Sequence, residues 1–181
     1  GNRLDYRKRD PQGSLQRIDP RNLLELIMAQ QSNQEGPFVI GVDAGTESLR
    51  AGVFDLQGNP LAFSSTAYQT TFPKPGWAEQ NPQDWWEALG KSVKNSITEA
   101  GISSSAVAAI CLDTTCCSVV ALDENGDPLK PCLIWMDLRS APQTEKVLDT
   151  GDKALRVNSN GQGPVSAEWM IPKSLWIKEN E

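Results

Sequence analysis

A glycine turn between two β-type runs is the feature that most limits what this chain can fold into. Residues 38–43 form an apolar run that ends in Asp43, which is typical of a buried strand. The turn at residues 44–48 leads into a second β-rich run, and a hairpin turn at residues 55–61 leads into a third. A dinucleotide-binding fold places a helix directly after its glycine turn. The order of segments therefore argues against that fold.

One helix is clearly marked after these strands. Asn81 is a suitable N-cap, Pro82 suits the first helical position, and Gly101 is a typical stop signal. An apolar stripe between them predicts the face that is turned towards the core. Its members are Trp85, Trp86, Leu89, Val93 and Ile97.

The downstream half predicts further strands and a last helix. A buried strand is expected at residues 107–112, and strands near residues 118–122 and 129–135 are expected to complete the sheet. The last helix is expected to start at Ser166 or Ala167. This succession of elements predicts a mixed α/β fold.

A seven-residue turn pattern occurs twice. Residues 55–61 and 123–129 share the form D-x-x-G-[ND]-P-L, each between β-rich segments. We interpret both as structural hairpins that use the same turn chemistry.

Residues 1–37 are interpreted as an N-terminal extension with a short helix. Asp19 and Pro20 are a good helix start, and Leu23, Leu24, Ile27 and Met28 fall on one helical face. The extension ends in the loop signal Gly36-Pro37. The compact domain is therefore expected to cover residues 38–181.

Composition excludes several classes of function. The chain has no histidine, which removes Ser-His-Asp and Cys-His catalysis. Its net charge of −6 argues against a nucleic-acid partner. No apolar stretch approaches the roughly 18 residues of a membrane span, so we expect no membrane partner and a cytoplasmic location. An organellar form remains an alternative, although the extension contains several acidic residues, which are rare in an intact transit peptide.

Residues 43–50 carry the clearest chemistry. A carboxylate at a strand end, as in Asp43, can hold Mg²⁺ directly or through water. Gly45 allows backbone N–H groups to approach a phosphate, while Thr46, Ser48 and Arg50 add further donors. These parts suit phosphoryl transfer. Because D-x-G-T turns also occur by chance, the turn alone leaves a purely structural role open.

Several ordered segments extend this motif into a family resemblance. They are the D-x-G-T-x-S-x-R turn, the G-W-A-E-Q-N-P segment at residues 76–82, the strand at residues 109–113, and L-I-W-M-D-L-R at residues 133–139. From residue 38 to the end, the chain resembles the FGGY family of carbohydrate kinases, within the actin-like ATPase superfamily. The resemblance implies a truncated actin-like ATPase (ribonuclease H-like) domain of the α/β class, with a mixed β-sheet and flanking helices.

The resemblance also implies roles for particular residues. Asp43 would lie near Mg²⁺, and the turn would face the phosphates of ATP through Gly45, Thr46, Glu47, Ser48 and Arg50. Glu47 stands where many members have Thr. The sugar hydroxyls would be contacted from the segment containing Asp113, Cys116 and Cys117, with Trp135 and Asp137 along the same cleft. ATP and Mg²⁺ are thus the expected cofactors, and a small-molecule sugar is the expected partner.

The substrate hints come from residues 45–48 and 113–116, which resemble the ribulokinase branch, and from residues 165–173. The V-S-A-E-W-M-I-P-K sequence of the last segment resembles the same branch, in which the corresponding Lys contacts the ketopentose, so Lys173 is the candidate. Ribulose is favoured, D- and L-ribulose are not distinguished, and xylulose or another polyol remains an alternative.

Some of these residues also have a purely structural interpretation. Asp137 could instead pair only with Arg139. Cys116 and Cys117 are interpreted as pocket walls rather than nucleophiles, since no neighbour in sequence would activate a thiolate.

The general base of the family, an Asp, is expected beyond residue 181, so the 181-residue chain alone is expected to be inactive. Alternatives from other classes are a non-catalytic sugar- or partner-binding pseudokinase and a chaperone- or actin-like ATPase. A homodimer is an expectation of the resemblance alone.

Overall fold

The computed structural model describes residues 7–9, 15–17, 36–155, 157 and 165–181. The helix expected from Asp19 onward lies outside these residues. In the extension, β1 (Arg7–Arg9) and β2 (Leu15–Arg17) pair antiparallel, with Arg7 opposite Arg17. The sequence pattern gave no signal for this pair.

The main sheet has four strands. Its members are β3 (Phe38–Ala44), β4 (Ser48–Phe54), β5 (Pro60–Ala67) and β7 (Val107–Thr114), in the order β5-β4-β3-β7. The neighbouring pairs β3–β4 and β4–β5 are antiparallel, whereas β7 lies parallel to β3. A parallel neighbour needs a crossover, and helix α1 (Pro82–Ala100) lies in that connection. The predicted mixed α/β sheet is confirmed.

The strands expected near residues 118–122 and 129–135 do not complete this sheet. Instead β8 (Cys132–Leu133) pairs with β6 (Glu79–Gln80), and residues 119 and 122 form only isolated bridges. Pro128 and Pro131 have no N–H to donate to a ladder. The downstream segment therefore forms a separate two-stranded sheet and does not extend the main one.

Both repeated turns have the same construction. The Asp55 carboxylate accepts from the N–H groups of residues 57 and 59, and the Asp123 carboxylate accepts from those of residues 125 and 127. Gly58 and Gly126 adopt φ values of 85° and 88°, which only glycine adopts readily. Hydrogen bonds lower the pKa of both aspartates, chiefly the bond from the Asn59 side-chain amide for Asp55 and the bond from the Asp127 N–H for Asp123.

The caps of α1 agree with the prediction, and its buried face agrees with it in part. The Asn81 side chain accepts from the Gln83 N–H, and Gly101 ends the helix at φ 67°. The fully buried residues are the small ones at four-residue spacing, Ala88, Ser92, Ser96 and Ala100. Of the expected stripe, Leu89, Val93 and Ile97 are half-buried and pack against the core beside these small residues. Trp86 is 70% exposed. Small side chains let the helix approach β4 and β5 closely, and the Ser92 hydroxyl lies 2.8 Å from Thr66 Oγ1.

Ser92→Leu is expected to destabilise the chain by about 1–3 kcal/mol, because added methylenes overpack a closely packed contact. Trp86→Ala should change stability by less than about 0.5 kcal/mol, since the ring is mostly exposed. Urea unfolding of both variants checks the prediction. The helix orientation would be wrong if Trp86→Ala were the more damaging change.

Two further helices close the described chain. They are α2 (Ala141–Asp149) and α3 (Met170–Asn180), which are joined by bonds from Gln143 and Lys146 to Glu179. The last helix begins three or four residues later than expected, because residues 167–169 form a turn. In the part of the chain that the structure describes, no helix is both long enough and apolar enough to cross a membrane.

Candidate active site

A row of charged side chains lies at the carboxyl end of β3. Asp43 is in register with Arg50 on one neighbouring strand and with Asp113 on the other. Arg50 Nη1 donates to Asp43 Oδ2 at 2.6 Å, and both side chains are about half exposed, at 55% and 52%. Because partners in register project from the same face of a sheet, the three groups form an open acidic edge with one cation.

This edge fits the expected metal only in part. Carboxylates are hard oxygen ligands that suit Mg²⁺, an ion that keeps several waters and is often shared with phosphates. Asp43 and Asp113 offer two such groups, and no cluster of three or more metal-ligating side chains occurs among the described residues. The residues therefore suit a hydrated Mg²⁺ held jointly with a nucleotide, not a closed protein cage.

The turn after β3 is tight. The Gly45 N–H donates to the Ser48 carbonyl at 3.1 Å. A Cβ at Gly45 would lie 3.4 Å from both Arg50 Nη1 and the Ser48 oxygen. Glycine at this position therefore leaves room for the guanidinium to reach across to Asp43.

Residues that sequence reasoning missed hold this turn in place. The Tyr68 hydroxyl donates to the Gly45 carbonyl, and Gln80 Nε2 donates to the Thr46 carbonyl at 2.6 Å. Trp85 Nε1 in turn donates to Gln80 Oε1 at 2.8 Å. Burial, reinforced by the Asp43 charge, raises the pKa of Tyr68, so the phenol remains a donor. The only sequence signal for this role was that Gln80 belongs to the G-W-A-E-Q-N-P segment.

A cavity of about 470 Å³ adjoins the turn. Thr46 belongs to the turn and also lines the cavity. Its Oγ1 accepts a hydrogen bond from Trp135 Nε1 at 3.0 Å. The complete lining is Thr46, Thr115, Cys116, Cys117, Trp135, Glu168 and Trp169. The cavity thus brings the turn after β3, which was predicted to bind phosphate, together with three of the six residues that were predicted to bind sugar: Cys116, Cys117 and Trp135.

Cys117 has an unusual backbone conformation and a thiol whose pKa is raised. Its φ of 63° is uncommon for a residue with a side chain. Burial and the neighbouring Cys116 raise the pKa of its thiol. Both features favour the interpretation of Cys117 as a pocket wall.

Asp113 and Asp137 do not line this cavity. Asp113 belongs to the row beside Asp43, and its Oδ1 accepts from the Thr114 N–H at 3.0 Å. Asp137 is completely buried, and its carboxylate accepts from the Ala78 N–H and from Arg139. The structure therefore favours the ion-pair interpretation of Asp137.

Arg139 joins this pair to two other segments. Its Nη2 also donates to Glu79 Oε1 at 2.7 Å, and its guanidinium carbon lies 3.6 Å from the ring centroid of Trp77. Burial opposes the charge, but the hydrogen bonds with Asp137 and Glu79 outweigh it and raise the pKa of Arg139.

Lys173 is fully buried at the inner side of the cavity wall. Its Nζ donates to the carbonyls of Cys117, Trp135 and Glu168 at 3.0, 2.9 and 2.7 Å. Burial lowers the pKa of the ammonium, and the nearby Asp137 carboxylate opposes this effect. The resemblance implied a contact between Lys173 and the sugar, whereas in the structure Nζ donates its protons to main-chain oxygens.

A second cavity of about 370 Å³ also reaches Gly45. Its lining combines apolar side chains such as Leu49 and Leu89 with polar ones such as Gln80 and Ser118. It contains none of the six residues that were predicted to bind sugar, whereas the cavity with Thr46 contains three. The cavity that contains Thr46 is therefore the candidate for the sugar.

The mixed sheet, with a carboxylate and a glycine turn at its carboxyl edge, is the architecture of the actin-like ATPases. Residues 38–181 match the model of the FGGY family of carbohydrate kinases, N-terminal domain. The chain therefore belongs to the FGGY family of carbohydrate kinases.

Individual relatives agree with this assignment. The chain is 34% identical over 151 residues to a xylulose kinase of Streptomyces coelicolor, covering 83% of this chain and 30% of that protein. It is 33% identical over 146 residues to a xylulose kinase of Lactococcus lactis, covering 80% and 28%. The crystal structure of xylulose kinase from Rhodospirillum rubrum matches with a TM-score of 0.71 at 28% identity, covering 80% of this chain and 29% of that one. The chain thus spans less than a third of the length of these relatives.

Proposed function

We propose that the protein to which this chain contributes transfers the γ-phosphate of ATP to a terminal hydroxyl of a ketopentose, with ribulose preferred. The observation that carries the proposal is the shared position of Thr46, which belongs to the turn and lines the 470 Å³ cavity. A sugar in that cavity would have a hydroxyl beside the phosphate turn. Phosphoryl transfer depends mainly on such positioning and on charge stabilisation.

In this proposal the turn and Arg50 bind the nucleotide phosphates. Arg50 is half exposed, so its guanidinium can leave Asp43 for a phosphate without a large desolvation cost. Asp43, with Asp113 beside it, would hold Mg²⁺, which would neutralise charge on the phosphates. Tyr68 and Gln80 keep the turn in shape by holding its carbonyls.

The cavity walls bind the sugar. Cys116, Cys117 and Trp135 provide its shape, and Thr115 and Glu168 add polar groups. The base that removes the hydroxyl proton is expected outside these 181 residues. This chain spans only 28–30% of the length of its relatives, so we expect it to have little turnover alone, because positioned groups are missing.

Xylulose is the second candidate substrate. It is supported by the 33–34% identity to proteins named xylulose kinase. Ribulose is supported by the residue pattern at positions 165–173. The two ketopentoses share the reacting hydroxyl and differ in stereochemistry, so one cavity could discriminate between them by wall contacts.

The test is a coupled ADP-release assay on the longest natural protein that contains this sequence. D-ribulose, L-ribulose, D-xylulose, ribitol and glycerol are offered separately, with a sugar-free reaction as the control. We expect the highest kcat/KM with a ribulose. A preference for xylulose would make the second candidate correct, and a folded, ATP-binding protein without sugar-dependent turnover would refute both.

A further inference from the structure

Lys173 has a contact pattern that the proposed reaction does not require. An ammonium has three protons to donate, and Nζ has three carbonyl acceptors within 3.0 Å. Among the described residues no carboxylate lies within 4 Å of it. In this arrangement no proton is left for a sugar oxygen.

The three acceptors come from three separate segments. Cys117 follows β7, Trp135 follows β8, and Glu168 precedes α3. All three residues line the 470 Å³ cavity. One ammonium therefore fixes the main chain on three sides of the same space.

The bond to Cys117 holds an unfavourable conformation. A residue with a side chain at φ 63° is sterically disfavoured, and such a conformation persists when its surroundings determine it. The Cys117 carbonyl is directed at Nζ at 3.0 Å. An apolar side chain of similar length could fill the same volume, but it could not orient three carbonyls.

We propose that Lys173 is a positioning residue for the sugar cavity: it fixes the carbonyls of Cys117, Trp135 and Glu168, and so sets the shape of the wall without touching the sugar. This inference rests on the proposed function for the role of the cavity. We call the three hydrogen bonds from Lys173 Nζ the clamp. The clamp can be tested without measuring turnover.

The turnover-independent test compares Lys173→Met with the parent protein. Methionine matches much of the lysine volume and removes all three donors. Loss of the clamp should release the main chain at Cys117 and increase the rate of amide hydrogen exchange in residues 115–119 several-fold, while exchange in α1 stays unchanged, as read by mass spectrometry. An unchanged exchange rate in residues 115–119 would overturn the clamp even if the protein proved inactive on every sugar.

The functional test uses the sugar that the parent phosphorylates best. We expect Lys173→Met to raise KM for that sugar at least tenfold and to change KM for ATP little. The variant should raise KM by the same factor for deoxy-sugars that each lack one hydroxyl. If Lys173→Met did not raise KM for one of these deoxy-sugars, the missing hydroxyl would be a direct contact of Lys173, and the proposal would be overturned. An unchanged sugar KM would reduce Lys173 to a stability role.

Two controls keep the test decisive. Val53→Ala removes buried volume in the main sheet, away from the cavity, so it reports loss of stability alone. If Lys173→Met does not fold, a crystal structure of the parent with the sugar bound replaces it. We expect Nζ to remain on the three carbonyls, and a sugar oxygen within hydrogen-bond distance of Nζ would overturn the proposal.

Discussion

Asp137→Ala is expected to lower the free energy of unfolding by about 3–5 kcal/mol, the usual cost of breaking a buried ion pair by removing one partner. The carboxylate is completely buried, and the Arg139 side chain is only 1% exposed. The variant would leave the Ala78 N–H without its acceptor at 2.6 Å and would leave Arg139 with Glu79 as its remaining carboxylate partner. Urea unfolding followed by far-UV circular dichroism measures the change.

Asp127→Ala is the matched control for this prediction. It removes the same group from an exposed turn, where the side chain of Asp123 rather than that of Asp127 accepts the turn bonds. We expect a change within about 0.5 kcal/mol. A loss below about 1 kcal/mol for Asp137→Ala would show that water replaces the carboxylate, and the buried network would then not be a major source of stability.

The Asp137 network also explains why two of the sequence motifs occur together. Asp137 and Arg139 bind Ala78 and Glu79, so the W-M-D-L-R segment is fixed to the G-W-A-E segment. The same anchoring places Trp135 against Thr46. These motifs therefore contribute to the site through its framework, and of their residues only Trp135 lines the 470 Å³ cavity.

Local signals in the sequence were sufficient for much of the fold. The caps of α1 and the two Asp-Gly turns depend on neighbouring residues, and the structure confirms them. Hydrophobicity located one flank of the buried face of α1, where Leu89, Val93 and Ile97 pack against the core, but not its centre. Its position depends on how closely Ser92 and Ala88 approach the sheet, which is a tertiary property.

The residues of the candidate site also fall into a group that local sequence predicts and a group that depends on tertiary packing. The turn from Asp43 to Arg50 is contiguous, so its residues were predictable as a group. Tyr68 and Gln80 act on the turn through side chains 23 and 34 residues distant in sequence, which no local pattern reveals. The resemblance suggested a sugar contact for Lys173, but burial and three carbonyl acceptors are properties of packing.

Asp43→Asn is expected to reduce kcat by about 10²- to 10³-fold in the longest natural form of the protein, the usual cost of losing one electrostatic group at a transition state. The amide keeps the size of the side chain but removes the charge that would hold Mg²⁺ beside the phosphates. Stability should change by less than about 1 kcal/mol, because the Asp43–Arg50 pair is half exposed. ADP release with saturating sugar, measured alongside urea unfolding, separates the two effects.

Glu124→Gln is the control, because it neutralises an exposed carboxylate in the distant turn at residues 123–129. It should leave both kcat and stability unchanged. If Asp43→Asn kept kcat within a few-fold of the parent, the carboxylate would not assist phosphate transfer, and the row formed with Arg50 and Asp113 would be structural. If kcat fell together with a large loss of stability, the acidic edge would matter for folding first. Only a large loss of kcat in a protein of normal stability is consistent with a metal- and phosphate-binding role for this edge of the sheet.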